Sequence, residues 1–185
     1  MTSYAGSRKP LRQMRRSDRI LITLFSAAIA VAMFVGVANY YHRTHLTIQG
    51  TEEWYRGNEN HPAPEELRFP KTMLELLDVT HPHLFFQSIM FFILCHVFSL
   101  TQVRERFKIS LYAASFASVL TEAGLPWLIR YGSDLFAPFL LVSTTLMCLC
   151  ILTLLVVPVR EMWFAVPAPA APTRRSRRPP VRPLS

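Results

Sequence analysis

From Ile20 to Tyr41 the chain carries no charged residue. A helix rises about 1.5 Å per residue, so a helix over this run is longer than the roughly 30 Å of hydrocarbon in a bilayer. A helix on the surface of a water-soluble domain would show a polar stripe, and none interrupts this run. At least one element is therefore expected in lipid, where every backbone amide must be paired inside its own helix or a closed barrel. Three more runs behave alike: Leu84 to Val103, Ile109 to Ile129 broken only by Glu122, and Leu135 to Val159. All exceed the roughly 9–11 residues of a barrel strand. The expected fold is all-α: an antiparallel bundle of four transmembrane helices, with spans at about 20–41, 83–103, 109–129 and 135–159.

Lys and Arg set the orientation. Six of them, Arg8 to Arg19, precede the first span; Arg104, Arg106 and Lys108 lie between the second and third; Arg160 and the arginines from 174 to 182 follow the fourth. Only Arg43, Arg56, Arg68, Lys71 and Arg130 fall on the other side. The positive-inside rule then places both termini in the cytoplasm. The net charge of +8 is accounted for by these flanks, which lack the interleaved aromatics of a nucleic-acid surface, with anionic lipid contact as a secondary effect. The first run is longer than a signal-peptide core, so an uncleaved span is expected. Cys95, Cys148 and Cys150 all lie in the runs, which excludes a loop disulfide and a thiol oxidase that needs exposed cysteine pairs.

The spans divide the chain into a basic cytoplasmic tail (1–19), a transmembrane domain (20–165) with one extracytoplasmic loop (42–80), and a disordered Pro/Arg tail (166–185), "VPAPAAPTRRSRRPPVRPLS". In the loop, Thr72 followed by Glu75 has capping-box spacing, and a short surface helix is expected near 73–79. Pro82, with Thr80 or His81 as cap, reads as the start of the second span. Tyr40, Tyr41, Trp54, Trp127, Tyr131 and Trp163 fall near the expected interfaces, where amphipathic rings anchor a bundle. No repeat and no pair of matched broken helices marks an inverted-repeat transporter.

Glu122 carries the most information, because a carboxylate in a span costs several kcal/mol unless it is neutral, paired or facing water. Helical rise puts it about 10 Å below the outer surface, with Gln87 about 6 Å below it and Ser143, Thr144 and Thr145 at comparable depth. Gln87, Glu122, Ser143 and Thr144 are thus the candidate polar node, either as a proton or ligand site or as interhelical glue. His83 shares a helix face with Gln87. His96 lies deeper, about 140° off the face of His83 and about 60° off that of His81, and no other span carries a histidine to pair with it, which excludes two stacked haems. His42 and His45 leave the first span on the side where His81 and His83 enter the second. One histidine from each pair could ligate a single b haem, or the cluster with His61 could hold copper or zinc. The candidate cofactor-binding residues are His42, His45, His81, His83 and His96, with haem b or quinone as the candidate groups.

Walker, GxGxxG, HExxH and GxSxG motifs are all absent, and no enzyme is expected. The segments "EEWYRGNE", "ELLDVTHPH", "HVFSL", "WLIRY" and "REMWF", spread over Gln49 to Phe164, resemble small bacterial four-helix inner-membrane proteins. The resemblance implies fold and location and supplies no activity or ligand. The leading expectation is a non-catalytic membrane subunit or accessory of a larger, redox complex, with lipid and partner subunits as its contacts. The alternatives are a single-haem electron carrier and a small proton-coupled transporter or channel.

Overall fold

The computed structural model describes residues 11–59 and 66–164. Most of the basic N-terminal tail, His61 and the Pro/Arg tail lie outside the described residues. After a 3-10 turn at Leu11–Gln13 come five α-helices: α1 (Arg16–Thr44), α2 (Ile48–Arg56), α3 (Met73–Ser99), α4 (Glu105–Trp127) and α5 (Ala137–Phe164). A π-helical turn, Leu128–Gly132, and a 3-10 turn, Asp134–Phe136, join α4 to α5. Pro126 and Gly124 stand just before that irregular backbone.

Helices α1, α3, α4 and α5 run antiparallel in sequence, with α5 central: it packs most extensively on α4 and also on α3, α1 and α2. The core is formed where α3, α4 and α5 meet, around Phe91, Leu94, Phe98, Val119, Ile151 and Leu154. Lipid tails are as apolar as these side chains, so close packing rather than water exclusion holds such helices together. Small residues permit that approach: Ser115 and Ser118 of α4 are fully buried, and their hydroxyls return to the carbonyls of Leu111 and Ser115 at 2.8 and 2.7 Å.

The basic flank before α1 is more ordered than charge alone implies. α1 begins at Arg16, and Leu11 is fully buried beside α5. At this end of the bundle Arg19 donates to the Met162 carbonyl and lies 4.2 Å over the Trp163 ring, while Trp163 Nε1 donates to Thr23 Oγ1 at 3.0 Å. The backbone N–H of Gln102 donates to both Glu161 carboxylate oxygens, at 2.9 and 3.1 Å.

The second run starts earlier than its proline suggests. There is no separate surface helix at 73–79: those residues are the first two turns of α3, and Pro82 sits inside the helix. Thr72, rather than Thr80 or His81, is the cap. Its hydroxyl accepts from Glu75 N at 3.2 Å and Glu75 Oε2 accepts from Thr72 N at 2.8 Å. Pro82 removes one backbone bond but cannot undo a start already fixed nearly three turns upstream. Thr80 instead accepts from Trp127 Nε1 at 2.9 Å, tying α3 to α4. Replacing Thr72 with Ala is expected to lower stability by about 1 kcal/mol, read as a drop in the thermal midpoint of the detergent-solubilised protein.

Between α1 and α3 lies the helix missing from the sequence reading, α2. Thr47 caps it, accepting from Gly50 N at 2.9 Å. The elbow into it uses two residues at positive φ, His45 (51°) and Leu46 (55°). Gly50 allows the elbow to close, because a Cβ there would overlap the Thr44 carbonyl and lie 2.8 Å from Thr47 Oγ1.

Candidate functional site

The node assembles at the α2 end of the bundle. Glu122 is half-buried on α4, and Thr144 Oγ1 of α5 donates to its Oε1 at 2.8 Å. One residue back on each helix, the hydroxyls of Thr121 and Ser143 are hydrogen-bonded to each other. Two parallel polar contacts thus join α4 to α5. Gln87 is not part of them: it is half-buried on α3 and makes no side-chain hydrogen bond among the described residues. Depth along a helix is fixed by rise, but the direction a side chain faces is not, and Gln87 lies at a suitable depth without meeting Glu122.

Helix α2 roofs this end. Its Gly50 and Thr51 are buried, and Tyr40 of α1 meets Thr51 through their hydroxyl oxygens at 3.3 Å. Tyr55 packs on a small apolar cluster of Ile129, Ala137 and Leu140. Burial pushes the Tyr55 phenol well above its ordinary pKa, the nearby Tyr40 and Glu122 push it the same way, and Arg43 opposes them weakly. The phenol therefore stays protonated. Tyr40, read from the sequence only as an interface ring, belongs to the node's surroundings, as do Thr51 and Tyr55 of α2, which escaped the sequence reading. Their one signal was the placing of Gly50, Thr51, Trp54 and Tyr55 on a single face at helical spacing.

The same end carries a basic cluster. Around the Trp54 ring stand Arg43 at 5.0 Å, Arg68 at 5.8 Å and Lys71 at 4.3 Å from the centroid. The segment bearing Arg68 and Lys71 is strapped down by backbone contacts: Arg68 donates to the Arg43 carbonyl, Lys71 N to Tyr55 O at 3.0 Å, and Arg130 Nε to Lys71 O at 2.7 Å.

The histidines are not gathered. His42 and His45 are exposed and meet the Tyr41 ring edge-on, each at 5.9 Å between centroids, and His45 also serves as the left-handed cap of α1. His81 and His83 are exposed on α3, where His83 Nδ1 lies 2.8 Å from the Val79 carbonyl. His96 is exposed, stacked on Phe92 at 6.5 Å. Helix α1 packs mainly on α2 and α5, and α3 on α4 and α5, so the two histidine pairs are carried by helices that do not pack closely on each other. Among the described residues no three His, Cys, Asp or Glu side chains are placed to share a metal ion.

The sequence profile of the Aq_1264_TM family, a transmembrane helical domain, matches residues 45–169, well over half of the chain. The chain belongs to this family. No curated protein and no solved structure matches it. The family's domain begins at the α1–α2 elbow and takes in α2 to α5, hence Glu122, Ser143, Thr144 and the roof, while Tyr40 and Arg43 stand on α1 before it. The protein is a membrane protein, with Arg16–Thr44, Met73–Ser99 and Asp134–Phe164 long and apolar enough to cross a bilayer.

What this arrangement can do is set by where its polar atoms point. Glu122 accepts a hydrogen bond from Thr144 of another helix. An open apolar groove along α5, lined by Leu141, Val142, Thr145, Leu146 and Leu149, does not include Glu122 or Thr144.

Proposed function

We propose that this chain is a non-catalytic, four-span subunit or accessory protein of a larger complex in a bacterial inner membrane, with both termini cytoplasmic. The fourth span is α4, and its side-chain distribution is the observation that carries the reading. Lys108, Leu111, Ser115, Ser118 and Val119 are buried, and Glu122 and Pro126 continue that stripe. Ile109 and Leu120, 59 and 65 % exposed, point outward. The exposed polar groups Ser110 and Thr121 are hydroxyls, which can bond within their own helix, and the charged Glu105 and Arg106 stand in its first turn, so α4 crosses lipid at little cost despite its modest mean hydropathy. The polar groups within the bundle are also used on one another: Glu122 on Thr144, Thr121 on Ser143. That use supports a scaffold more than a reaction centre. The orientation rests on the Lys and Arg distribution. An electron-transfer role would rest on the histidines alone, and with those side chains exposed and apart the reading carries no electron-transfer step. Isolation in mild detergent from native membranes should return the chain with stoichiometric partner subunits; recovery as a lone chain would overturn the subunit reading.

A second reading, a proton-coupled transporter or channel, is favoured by one fact: the Glu122 carboxylate lies near enough to Tyr55 of α2 to act on its phenol electrostatically. The two readings part at Glu122→Gln. The amide still accepts from Thr144, so a scaffold keeps its stability to within about 0.5 kcal/mol, whereas Glu122→Leu loses about 1 kcal/mol with the interhelical bond. In liposomes neither variant changes proton flux if Glu122 only joins helices. Loss of flux in Glu122→Gln at unchanged stability would establish the transport reading instead.

A further inference from the structure

We propose that Arg43, Arg68 and Lys71 around Trp54 form a seat for the phosphate of an anionic phospholipid headgroup. The five cations that the charge rule leaves on the cation-poor side are Arg43, Arg56, Arg68, Lys71 and Arg130, and the fold draws them together at one end of the bundle. Two serve mainly as clamps: Arg56 Nη1 donates to Ile129 O at 3.1 Å and Arg130 Nε to Lys71 O at 2.7 Å. The other three converge on a single indole, within 4.3 to 5.8 Å of its centroid.

Three like charges so close repel one another, and an indole has two faces to offer them. The carboxylates at hand only partly offset the charge. Arg68 pairs with Glu66 and Lys71 with Glu75, each at 3.1 Å. In both pairs the cation is the sheltered member: the side chains are 14 and 24 % exposed for Arg68 and Lys71, against 75 and 49 % for Glu66 and Glu75. Glu52 and Glu53 of α2 form no ion pair with the three cations, and Glu53 is engaged by Gln49 at 2.8 Å and Asn58 at 3.4 Å. Arg43 has no acidic partner among the described residues, and its guanidinium makes no hydrogen bond there. A donor fork is thus left over next to two sheltered positive charges, the arrangement that suits a phosphate oxyanion.

Lipid, rather than a soluble phosphate, is indicated by what surrounds the fork. Arg43 lies in the last turn of a membrane-spanning helix, at the level where headgroups sit. The segments beside the cluster expose apolar side chains: Leu46, Ile48, Leu67, Phe69, Met73 and Leu74 are 47 to 67 % exposed. Exposed apolar side chains interleaved with cations suit the boundary between headgroups and acyl chains.

Native mass spectrometry of the full chain, released from micelles holding equal amounts of phosphatidylglycerol and phosphatidylcholine, tests this. Retained phosphatidylglycerol should exceed phosphatidylcholine by about tenfold, and Arg43→Gln should cut that retention about fivefold. Arg43→Gln removes no hydrogen bond that the fold uses, and Lys71→Gln, which loses the ion pair to Glu75 and the contact with the Trp54 ring, is the second variant and should act in the same direction. Arg104→Gln, at the far end of the bundle, should change nothing. Equal retention of the two lipids, full retention in both variants, or equal loss in Arg104→Gln would each refute the seat. Complete displacement of phosphatidylglycerol by millimolar inorganic phosphate would also refute it, by assigning the cluster to a soluble anion.

Discussion

Gly50→Ala is expected to destabilise the protein by about 3 kcal/mol, more than any surface substitution and far more than the helix propensity of alanine could return. The added Cβ overlaps the Thr44 carbonyl and comes within 2.8 Å of both the Thr44 carbonyl carbon and Thr47 Oγ1. Neither group can retreat cheaply. The Thr44 carbonyl accepts from Thr47 N and from Thr47 Oγ1, both at 3.1 Å, and Thr47 Oγ1 caps α2. Relief therefore means opening the elbow, and with it the two left-handed residues, His45 and Leu46, lose the contacts that hold them there. Opening the elbow also lifts the roof, because Thr51 and Tyr55 follow Gly50 on the same short helix. Two readouts should move together: a lower thermal midpoint in detergent and faster carbodiimide labelling of Glu122. A midpoint equal to wild type would mean that the elbow is not as tight as its geometry states, and unchanged labelling would mean that α2 does not shelter Glu122.

The elements legible in the sequence are those fixed by local or one-dimensional physics. Long uncharged runs mark spans because a charge in hydrocarbon is costly anywhere along the helix, whatever it packs against. The Thr72–Glu75 box is legible because both of its hydrogen bonds close within three residues. Helical rise likewise puts Glu122, Ser143 and Thr144 at one depth, and Thr144 does donate to Glu122. What was not legible depends on direction or on tertiary partners. Gln87 has suitable depth, yet its side chain makes no hydrogen bond among the described residues. Pro82 reads as a helix start by a rule for isolated helices, whereas the start is held upstream at Thr72. Helix α2, nine residues long, hides from a hydropathy reading because its buried face is made of a glycine, a threonine and two aromatic rings. The cluster around Trp54 unites α1, α2 and the segment before α3, which no linear pattern joins.

The basic residues between α3 and α4 show the same divide, and Lys108→Met exposes it. Counted as charge, Lys108 is one of three topogenic cations, interchangeable with Arg104 and Arg106. In the structure it is only 7 % exposed, and its Nζ donates to Ser99 O at 2.8 Å and to Thr101 O at 2.9 Å. Its own helix gives it no reason to be there, since a cation in the first turn of α4 opposes that helix's dipole by about 0.3–1 kcal/mol. The reason is the end of α3. The connection satisfies Val97 O and Phe98 O through the N–H groups of Leu100 and Thr101, at 3.1 and 3.0 Å. Ser99 O and Thr101 O are left to Lys108. Each is a charge-assisted bond, worth about 1.5–3 kcal/mol, and the buried Thr101 carbonyl abandoned without a partner costs about 1–3 kcal/mol, the part-buried Ser99 carbonyl less. Methionine fills the same space and satisfies neither, so Lys108→Met should destabilise by about 3 kcal/mol, outweighing the dipole relief several times over. Arg106→Gln, at an exposed position three positions beyond the turn, should stay within about 0.5 kcal/mol of wild type. The comparison is a pair of thermal midpoints in one detergent. If the two variants lose equal stability, Lys108 acts only as a flanking charge; if Lys108→Met alone falls, the cation is the cap that lets α3 end inside the bundle and α4 turn back beside it.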